Sequence, residues 1–336
     1  MHYRPNVMIS ANDNDITAQI MDALIDIVIT DHSGSQSDQI AIKLHGHKIG
    51  QLPPPDALLR VSLGFNGVYI QQGTWTVDRI DVAGWPEVVT ISGNAAPMKA
   101  SGNASVQTQR TQAWHNVSFE DVIKTCATRA GLSAIVSAQL ASIMFEHIDQ
   151  SSESDMALIT RLARQHSAVS KISQQNWLLV AEGEGKNASG TQSLPVRTVN
   201  ANMCNDYGYT QQTRNQLSSA VAKYHDEETG KTGSVRHGKG EPAFEILYVY
   251  KTKAEAEAAV KSRAKSISST SKTFNCVTAA NLELLNVFAE GHLKAIGWRP
   301  EISEVTWRIK TVTKTVTPSS GITIKFDCDN GAKSSK

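Results

Sequence analysis

The sequence predicts an α+β protein rich in β structure, with a β-barrel or sandwich domain on either side of an α+β insert. Two changes of periodicity carry this prediction. Apolar side chains occupy every second position before about residue 97, follow helical spacing between about 118 and 181, and alternate again in the last third. A chain of 336 residues is long enough for two or three domains of roughly 100–200 residues each.

The first region contains short strands that alternate between an apolar and a polar face. The clearest runs are 23–29, 40–44 and 59–65. Gly, Pro, Asn and Asp cluster between them, as they do in the turns of an antiparallel sheet. Several short strands at this spacing indicate a sandwich or a barrel.

The middle region carries two signals for helix starts. Ser118 and Asp121 have the spacing of a capping box, in which a hydroxyl and an acid bond reciprocally to free amides at the start of a helix. The apolar stripe that follows, which includes Cys126, ends at a glycine, as many helices do. Ser152 and Asp155 repeat the capping-box spacing and predict a second helix start.

The rest of the middle region is predicted to contain a short helix and a hairpin. The helix covers 137–143, and the hairpin joins 169–172 to 177–180. Residues 183–190 are polar and rich in glycine, which predicts a flexible linker. The Gly-Lys pair in this segment does not complete a phosphate-binding loop, because the other residues of that motif are absent.

The last third returns to strands around one helix. Thr252 and Glu255 predict the start of an Ala-, Lys- and Glu-rich helix that runs to about residue 266. Residues 226–241 are rich in Gly, Lys and His, which predicts a mobile loop. Residues 331–336 are predicted to form a frayed tail.

An antiparallel hairpin is predicted near the end of the chain. The runs 305–310 and 322–328 alternate on either side of a Pro-Ser-Ser-Gly turn. Trp307 is expected in a β-domain core. Arg308 and Lys310 are expected on the opposite, solvent-facing side of the strand.

Charge and cysteine use exclude several classes of protein. Lys and Arg total 33 against 32 Asp and Glu, so the formal net charge is +1 and gives no reason to expect a nucleic acid or anionic membrane as partner. The four cysteines are scattered and fit buried thiols in a reduced compartment. No apolar run approaches the ~20 residues of a membrane span, and no signal-peptide core begins the chain, so synthesis in the cytoplasm is expected.

Two clusters of potentially reactive side chains are interpreted as structural. His45 and His47 could share one face of a strand, but no third ligand is near in sequence, so no metal site is expected. The densest acidic cluster consists of Glu146, His147, Asp149, Glu153 and Asp155. A hydrolase could use two such carboxylates as acid and base. Helix capping and the helix dipole already account for two of them, so no catalytic residue, metal ligand or cofactor is assigned.

The run 147–163 also contains a distinctive sequence motif. A Gln-x-x-Glu-Ser-Asp turn leads into an Ile-Thr-Arg-Leu-Ala helix. This run resembles the late control protein D family, the baseplate hub of contractile phage tails, and the N-terminal part of its secretion-system relative VgrG. Further similar segments follow the family's order along the chain: 73–80, 91–96, 114–118, 214–226, 248–264, Gly291, Gly297 and Trp307.

The resemblance implies a domain organisation. A first tube-type β domain would span 1–98, an α+β insert and linker 99–190, and a second tube-type β domain with a peripheral helix 191–330, followed by a flexible tail at 331–336. The order of elements in the insert is similar to the LysM-like insert of the family.

The resemblance also implies a structural role without catalysis. The chain would be a component of a phage tail or a tail-like bacteriocin, made in the bacterial cytoplasm. Three copies would form a ring that adapts the sixfold tail tube to the threefold spike. The implied partners are a homotrimer of this chain, the tail spike protein, the tail tube protein, the tape-measure protein and other baseplate proteins. The alternative is a peptidoglycan-binding or cell-wall-degrading tail component that acts through the LysM-like insert.

Overall fold

The structure is a computed structural model that describes residues 5–331 except 35, 55, 96–105, 167, 174–175, 182–193, 213–218, 227–228, 239–240 and 270–271; for 265–269 it describes the backbone alone. The predicted linker 183–190 therefore lies outside the described residues, as do 332–336 of the predicted tail.

The N-terminal region consists of strands and one short helix. These are β1 (Pro5–Ala11), β2 (Asn14–Asp15), α1 (Thr17–Ala23), β3 (Leu24–His32), β4 (Gln39–His45), β5 (Leu58–Phe65), β6 (Val68–Ala83) and β7 (Val88–Asn94). Ile40, Ile42 and Leu44 on β4 are at most 1% exposed, while the side chains between them are more open to solvent. The strands predicted from alternation at 40–44 and 59–65 are confirmed.

The insert is a compact unit with helices on two small sheets. Its elements are β8 (Gln109–Ser118), α2 (Phe119–Arg129), β9 (Ser133–Val136), α3 (Ala138–Ala141), β10 (Met144–Ser154), α4 (Asp155–Gln165), β11 (Ala168–Ser173) and β12 (Asn176–Ala181). β8 pairs with β10, and β12 lies between β11 and β9. The predicted hairpin is confirmed by the antiparallel pairing of β11 with β12. The capping box of Ser118 and Asp121 is confirmed at the start of α2.

The C-terminal region returns to strands. Its elements are β13 (Arg197–Asn200), β14 (Cys204–Gln211), β15 (Ser219–Asp226), β16 (Lys231–Gly238), β17 (Ala243–Tyr250), α5 (Lys253–Ser269), β18 (Lys272–Ala279), α6 (Leu282–Leu285), β19 (His292–Ile296), α7 (Pro300–Ser303), β20 (Thr306–Thr317) and β21 (Gly321–Asp329). The helix start predicted at Thr252 is confirmed, because its hydroxyl accepts the amide of Glu255 at 3.2 Å.

One central sheet draws on both ends of the chain. In the described residues it has thirteen strands in the order β14-β18-β21-β20-β3-β4-β7-β6-β5-β1-β2, with β19 beside β20 and β13 beside β19. The antiparallel pairing of β3 with β20 joins the two halves. One apolar core, formed by residues from Ile9 to Ile91 and from Val199 to Cys328, serves both halves, whereas the insert has its own core around Phe119.

The prediction of a mobile loop at 226–241 is wrong. Lys231–Gly238 forms β16, which pairs along its whole length with β15, and β17 pairs with the other edge of β15. Helix α5 covers one face of this sheet. A Cβ at position 233 would lie only 2.5 Å from the Tyr224 hydroxyl, so a larger residue than Gly233 would displace the Tyr224 side chain. The glycine that suggested a loop instead makes room for a ring on the neighbouring strand.

The predicted hairpin of β20 and β21 is confirmed, but the face that was expected to be exposed to solvent is partly buried. Trp307 is fully buried, and its indole N–H donates to the carbonyl oxygen of Ile302 at 2.9 Å. The expected exposure of Arg308 is wrong, because this side chain is buried. Its guanidinium pairs with the carboxylate of Asp329, with N–O distances of 3.0 and 2.6 Å, which compensates for the burial of its charge. Lys310 is exposed, as expected. The β-rich α+β class predicted from the sequence is confirmed.

We predict that Trp307→Ala lowers the free energy of unfolding by roughly 3–5 kcal/mol, because it leaves a cavity in the shared core. Chemical denaturation of the full chain measures the loss. Lys310→Ala, three positions along the same strand, serves as the control and should change stability by about 0.5 kcal/mol or less. Equal stability of both variants and the parent would show that the burial of Trp307 is wrong.

Candidate functional site

The insert meets the central sheet at a buried cluster of three charges, called here the junction cluster: Lys171, Asp31 and Asp38. The ammonium of Lys171, on β11, lies between the carboxylates of Asp31 on β3 and Asp38 just before β4. Its nitrogen is 2.8 Å from an oxygen of Asp38 and donates to the carbonyl oxygen of His32 at 2.8 Å. Asp31 also accepts the amide of Ala289 at 2.9 Å. Three distant parts of the chain therefore meet here.

Burial and mutual repulsion set the ionisation of the junction cluster. Burial alone would raise the pKa of Asp31, but the Lys171 ammonium and hydrogen bonds outweigh it and hold the pKa below its usual range. Burial and the charge of Asp31 together raise the pKa of Asp38 to about 7. Burial lowers the pKa of Lys171, yet the two carboxylates outweigh it and leave that pKa above its ordinary value. At neutral pH, the cluster holds one firm ion pair and a second, partly protonated carboxyl group.

A cavity of about 310 Å³ lies beside the junction cluster, between the insert and the central sheet. Lys314 of β20 lines it, and its ammonium donates to the side-chain oxygen of Gln72 at 2.5 Å and to the carbonyl oxygen of Leu285 at 2.8 Å. Burial lowers the pKa of this lysine to about 8. The sequence held a signal for this site, because Lys314 occupies an inward position of β20 between Val312 and Val316.

The acidic run of the insert builds a charge network, and Asp155 lies at its centre. Asp155 is 1% exposed. One of its oxygens is 3.1 Å from Arg110 Nε, and the other is 3.3 Å from Arg129 and accepts the Gln150 side chain at 2.9 Å. Glu153 forms a separate two-point pair with Arg161, with N–O distances of 3.0 and 2.7 Å. Both acids are held by cations, as in a structural network.

The predicted capping box of Ser152 and Asp155 is wrong. Helix α4 begins at Asp155, and Ser154 is the cap, whose hydroxyl accepts the amide of Ala157 at 3.2 Å. Ser152 lies in a bulge of β10 at φ +48° and donates its amide to Thr111. The carboxylate of Asp155 is drawn away from the helix start because two guanidinium groups lie within reach. Spacing alone could not distinguish these outcomes.

The remaining acidic and histidine side chains of this run lie on the exposed surface of β10. Glu146, His147 and Asp149 are all exposed. His147 Nδ1 is 3.1 Å from the Nδ1 of His115 on β8, and its Nε2 is 2.9 Å from the Asp149 carboxylate. Nowhere in the described part of the chain do three His, Cys, Asp or Glu side chains form a group able to hold a metal ion.

The other candidate residues are separate from this surface. His45 ends β4 and His47 lies in the short helical turn after it, with ring centres 5.7 Å apart. Cys126 is fully buried on α2, and burial raises the pKa of its thiol to about 12. Such a thiol is poorly reactive, because the thiolate is the nucleophilic form.

The two most exposed of the large apolar side chains on the described surface are Trp85 and Leu247. Trp85, in the turn between β6 and β7, is 94% exposed. Leu247 is 95% exposed on the outer strand β17, where a bulge displaces it and Tyr248 from the pairing with β15. Exposed apolar side chains at a sheet edge are typical of surfaces that contact other chains.

We predict that Asp155→Ala lowers the free energy of unfolding by roughly 3–5 kcal/mol, because it leaves two arginines without their buried acceptor. Ser154→Ala should cost about 0.5–2 kcal/mol through the lost cap. Ser152→Ala should stay within about 0.5 kcal/mol of the parent. Denaturant titration of the three variants measures this order, and a Ser152→Ala loss as large as that of Ser154→Ala would restore the sequence-based cap.

Known proteins resemble this chain in sequence and in fold. A family model described as phage tail baseplate hub (GPD) matches residues 99–317. The probable baseplate hub protein of Escherichia phage P2 is 26% identical over 368 residues, which cover 97% of this chain and 93% of that protein. A tail protein from Neisseria meningitidis MC58 has a TM-score of 0.73 at 10% identity over 97% of each chain. A chain of the Francisella PdpA-VgrG complex has a TM-score of 0.60 at 9% identity, covering 99% of this chain and 60% of that one.

These similarities confirm the family resemblance that the sequence shows in the run 147–163 and in the other segments named with it. The names of the family and of the phage P2 protein describe a tail component and not an enzyme. Among the described helices, none is both long and apolar enough to cross a bilayer. The family match covers about two thirds of the chain, which therefore belongs to the phage tail baseplate hub (GPD) family, a structural component of virion tails.

Proposed function

We propose that three copies of this chain close into a ring that seats the sixfold tail tube on one side and the threefold spike on the other. The observation that carries this proposal is the central sheet, which ends at β14 on one side and at β1 and β2 on the other. Within the described residues, neither outer edge pairs with another strand of the chain. Unpaired edges are sites for joining further chains, and a closed ring satisfies all of them at once.

The symmetry of such a ring follows from the two β regions. Two similar β domains in each of three chains would present six near-equivalent units to a six-subunit tube ring, while the assembly keeps threefold symmetry for the spike. We assign these domains to 1–98 and 191–330, with the insert and its linker at 99–190 and a tail at 331–336.

The partners follow from the position of the ring. The tail spike and tail tube proteins would contact its two faces, and the tape-measure protein and other baseplate proteins would lie nearby. The insert has a core of its own and joins the central sheet through the junction cluster. It would therefore point outward, away from the ring contacts.

We predict that the purified chain forms a trimer, and that the cognate spike strengthens it, because a ligand that binds the assembled state stabilises that state. Mass measurement with and without spike should give three hub chains per spike trimer. A lysine on an edge strand opposes pairing with another strand, so Tyr207→Lys on β14 should reduce the trimer. Ser234→Lys, at an exposed polar position on the outer strand β16 of the separate sheet, is the matched control and should leave the mass unchanged.

Two outcomes would contradict the ring. One is a complex with a single hub chain per spike trimer. The other is a hub dimer both with and without the spike. Equal loss of the trimer in Tyr207→Lys and Ser234→Lys would place the contact away from the edges of the central sheet.

We also propose that no acidic or histidine side chain of this protein is catalytic, that the protein binds no metal or cofactor, and that the insert does not bind the cell wall. The salt bridges of Glu153 and Asp155 support this, because each carboxylate already has arginine partners. Purified protein should not be retained on peptidoglycan and should not degrade it. Degradation that is lost in Glu153→Ala without unfolding would instead favour a cell-wall-degrading tail component.

A further inference from the structure

The junction cluster has more negative than positive charge when all of its members are ionised. Lys171 contributes one positive charge, and Asp31 and Asp38 contribute one negative charge each. All three are buried, with side chains at most 13% exposed. An unbalanced charge in such a place is costly, and two close carboxylates commonly share one proton.

In the described part of the chain, the other charged groups around Asp38 do not form a second ion pair with it. In the described part of the chain, its ion-pair partner is Lys171. Lys314, on β20, gives its hydrogen bonds to Gln72 and to the carbonyl oxygen of Leu285. The charges of Asp31 and Asp38 act on it through space, but burial outweighs them and lowers the pKa of this lysine to about 8. Glu290, on the segment before β19, also lines the cavity.

The last titratable group near the cluster is His32, on β3. Its backbone carbonyl accepts from Lys171 and its amide donates to Asp38 at 3.3 Å. Burial and the positive charge of Lys171 lower the pKa of its imidazole, so the ring tends to be neutral. Asp38 is therefore left as the carboxyl group with the least compensation.

We propose that the junction cluster is a proton-controlled contact, in which Asp38 is protonated while the insert is docked on the central sheet and ionised when the insert separates. This inference concerns a single chain, and it holds whether or not three copies form a ring. It makes the position of the insert depend on the pH around the particle.

The direction in which docking changes with pH follows from proton linkage. The pKa of Asp38 is about 7 in the docked structure, above the ordinary value of 3.8. The docked state therefore binds the proton more tightly, and docking is strongest at low pH and weakens as the pH rises to about 7. For one proton, the ratio of separated to docked molecules rises by at most about tenfold per pH unit in this range and is constant above it.

The other titratable groups near the junction cluster either change charge in other pH ranges or oppose this trend. The pKa of Asp31 lies below 3.8, that of Lys171 above 10.5, and that of Lys314 at about 8, so Asp31 and Lys171 do not titrate between pH 5 and 7. Lys314 acts from about pH 8 upward. His32 has a lowered pKa, so it favours docking as the pH rises to about 6.5 and reduces the slope.

The test measures the docked and separated populations directly in the full chain. Two exposed positions are replaced by cysteine for dye labelling: Glu146→Cys on the insert and Trp85→Cys in the turn between β6 and β7 of the central sheet. Cys204→Ser removes the partly exposed native thiol. Single-molecule energy transfer between the two dyes then reports the distance between the insert and the central sheet. The separated-to-docked ratio should rise from about pH 5 to about pH 7 by severalfold per unit, up to the tenfold limit for one proton.

Variants identify the group responsible. Asp38→Asn mimics the protonated form, so its ratio should be low and should not rise with pH, whereas Asp206→Asn, at an exposed carboxylate on β14, should keep the parent slope. If Asp38→Asn does not fold, Asp31→Asn tests the same idea, because removing the negative charge of Asp31 should lower the pKa of Asp38 and move the rise of the ratio to lower pH. Two results would overturn the proposal. One is a separated-to-docked ratio of the parent that does not change between pH 5 and 7. The other is the parent's dependence of this ratio on pH in Asp38→Asn, or in Asp31→Asn where that variant is used.

Discussion

The ammonium of Lys171 must find oxygen acceptors on the central sheet, because a lysine buried at this depth without them would strongly destabilise the fold. One of the carboxylates that hold it, Asp31, lies on β3, the strand through which the two halves of the sheet are joined. The same carboxylate accepts the amide of Ala289. The position of the insert, the seam of the sheet and the segment before β19 thus depend on one buried ionic contact.

The features that the sequence predicted well have local causes. Ile40, Ile42 and Leu44 alternate because β4 turns one face to the core. Ser118 caps α2 because its partner lies three residues along the chain. The family resemblance likewise rests on a continuous run of residues and needs no knowledge of the fold. Neither alternation nor a cap requires a contact with a distant segment.

The features that the sequence missed depend on distant partners. Lys171 and Asp31 are 140 residues apart, and no spacing rule relates them. Ser152 has the spacing of a cap, but the arginines that take Asp155 away from it come from β8 and α2. The segment Lys231–Gly238 has the composition of a loop, and its pairing with β15 overrides that composition. In each case, the interaction that decides the outcome is absent from the local sequence.

The pairing of β3 with β20 has a consequence for synthesis. The insert core uses residues from Val106 to Leu179, so it can close while later segments are still on the ribosome. The N-terminal strands cannot complete their sheet at that time, because β20, which pairs with β3, follows the whole insert along the chain. A chain released before β20 would expose an unpaired apolar edge and be directed to aggregation or proteolysis. The N-terminal strands thus depend for their closure on a segment that is made after the insert.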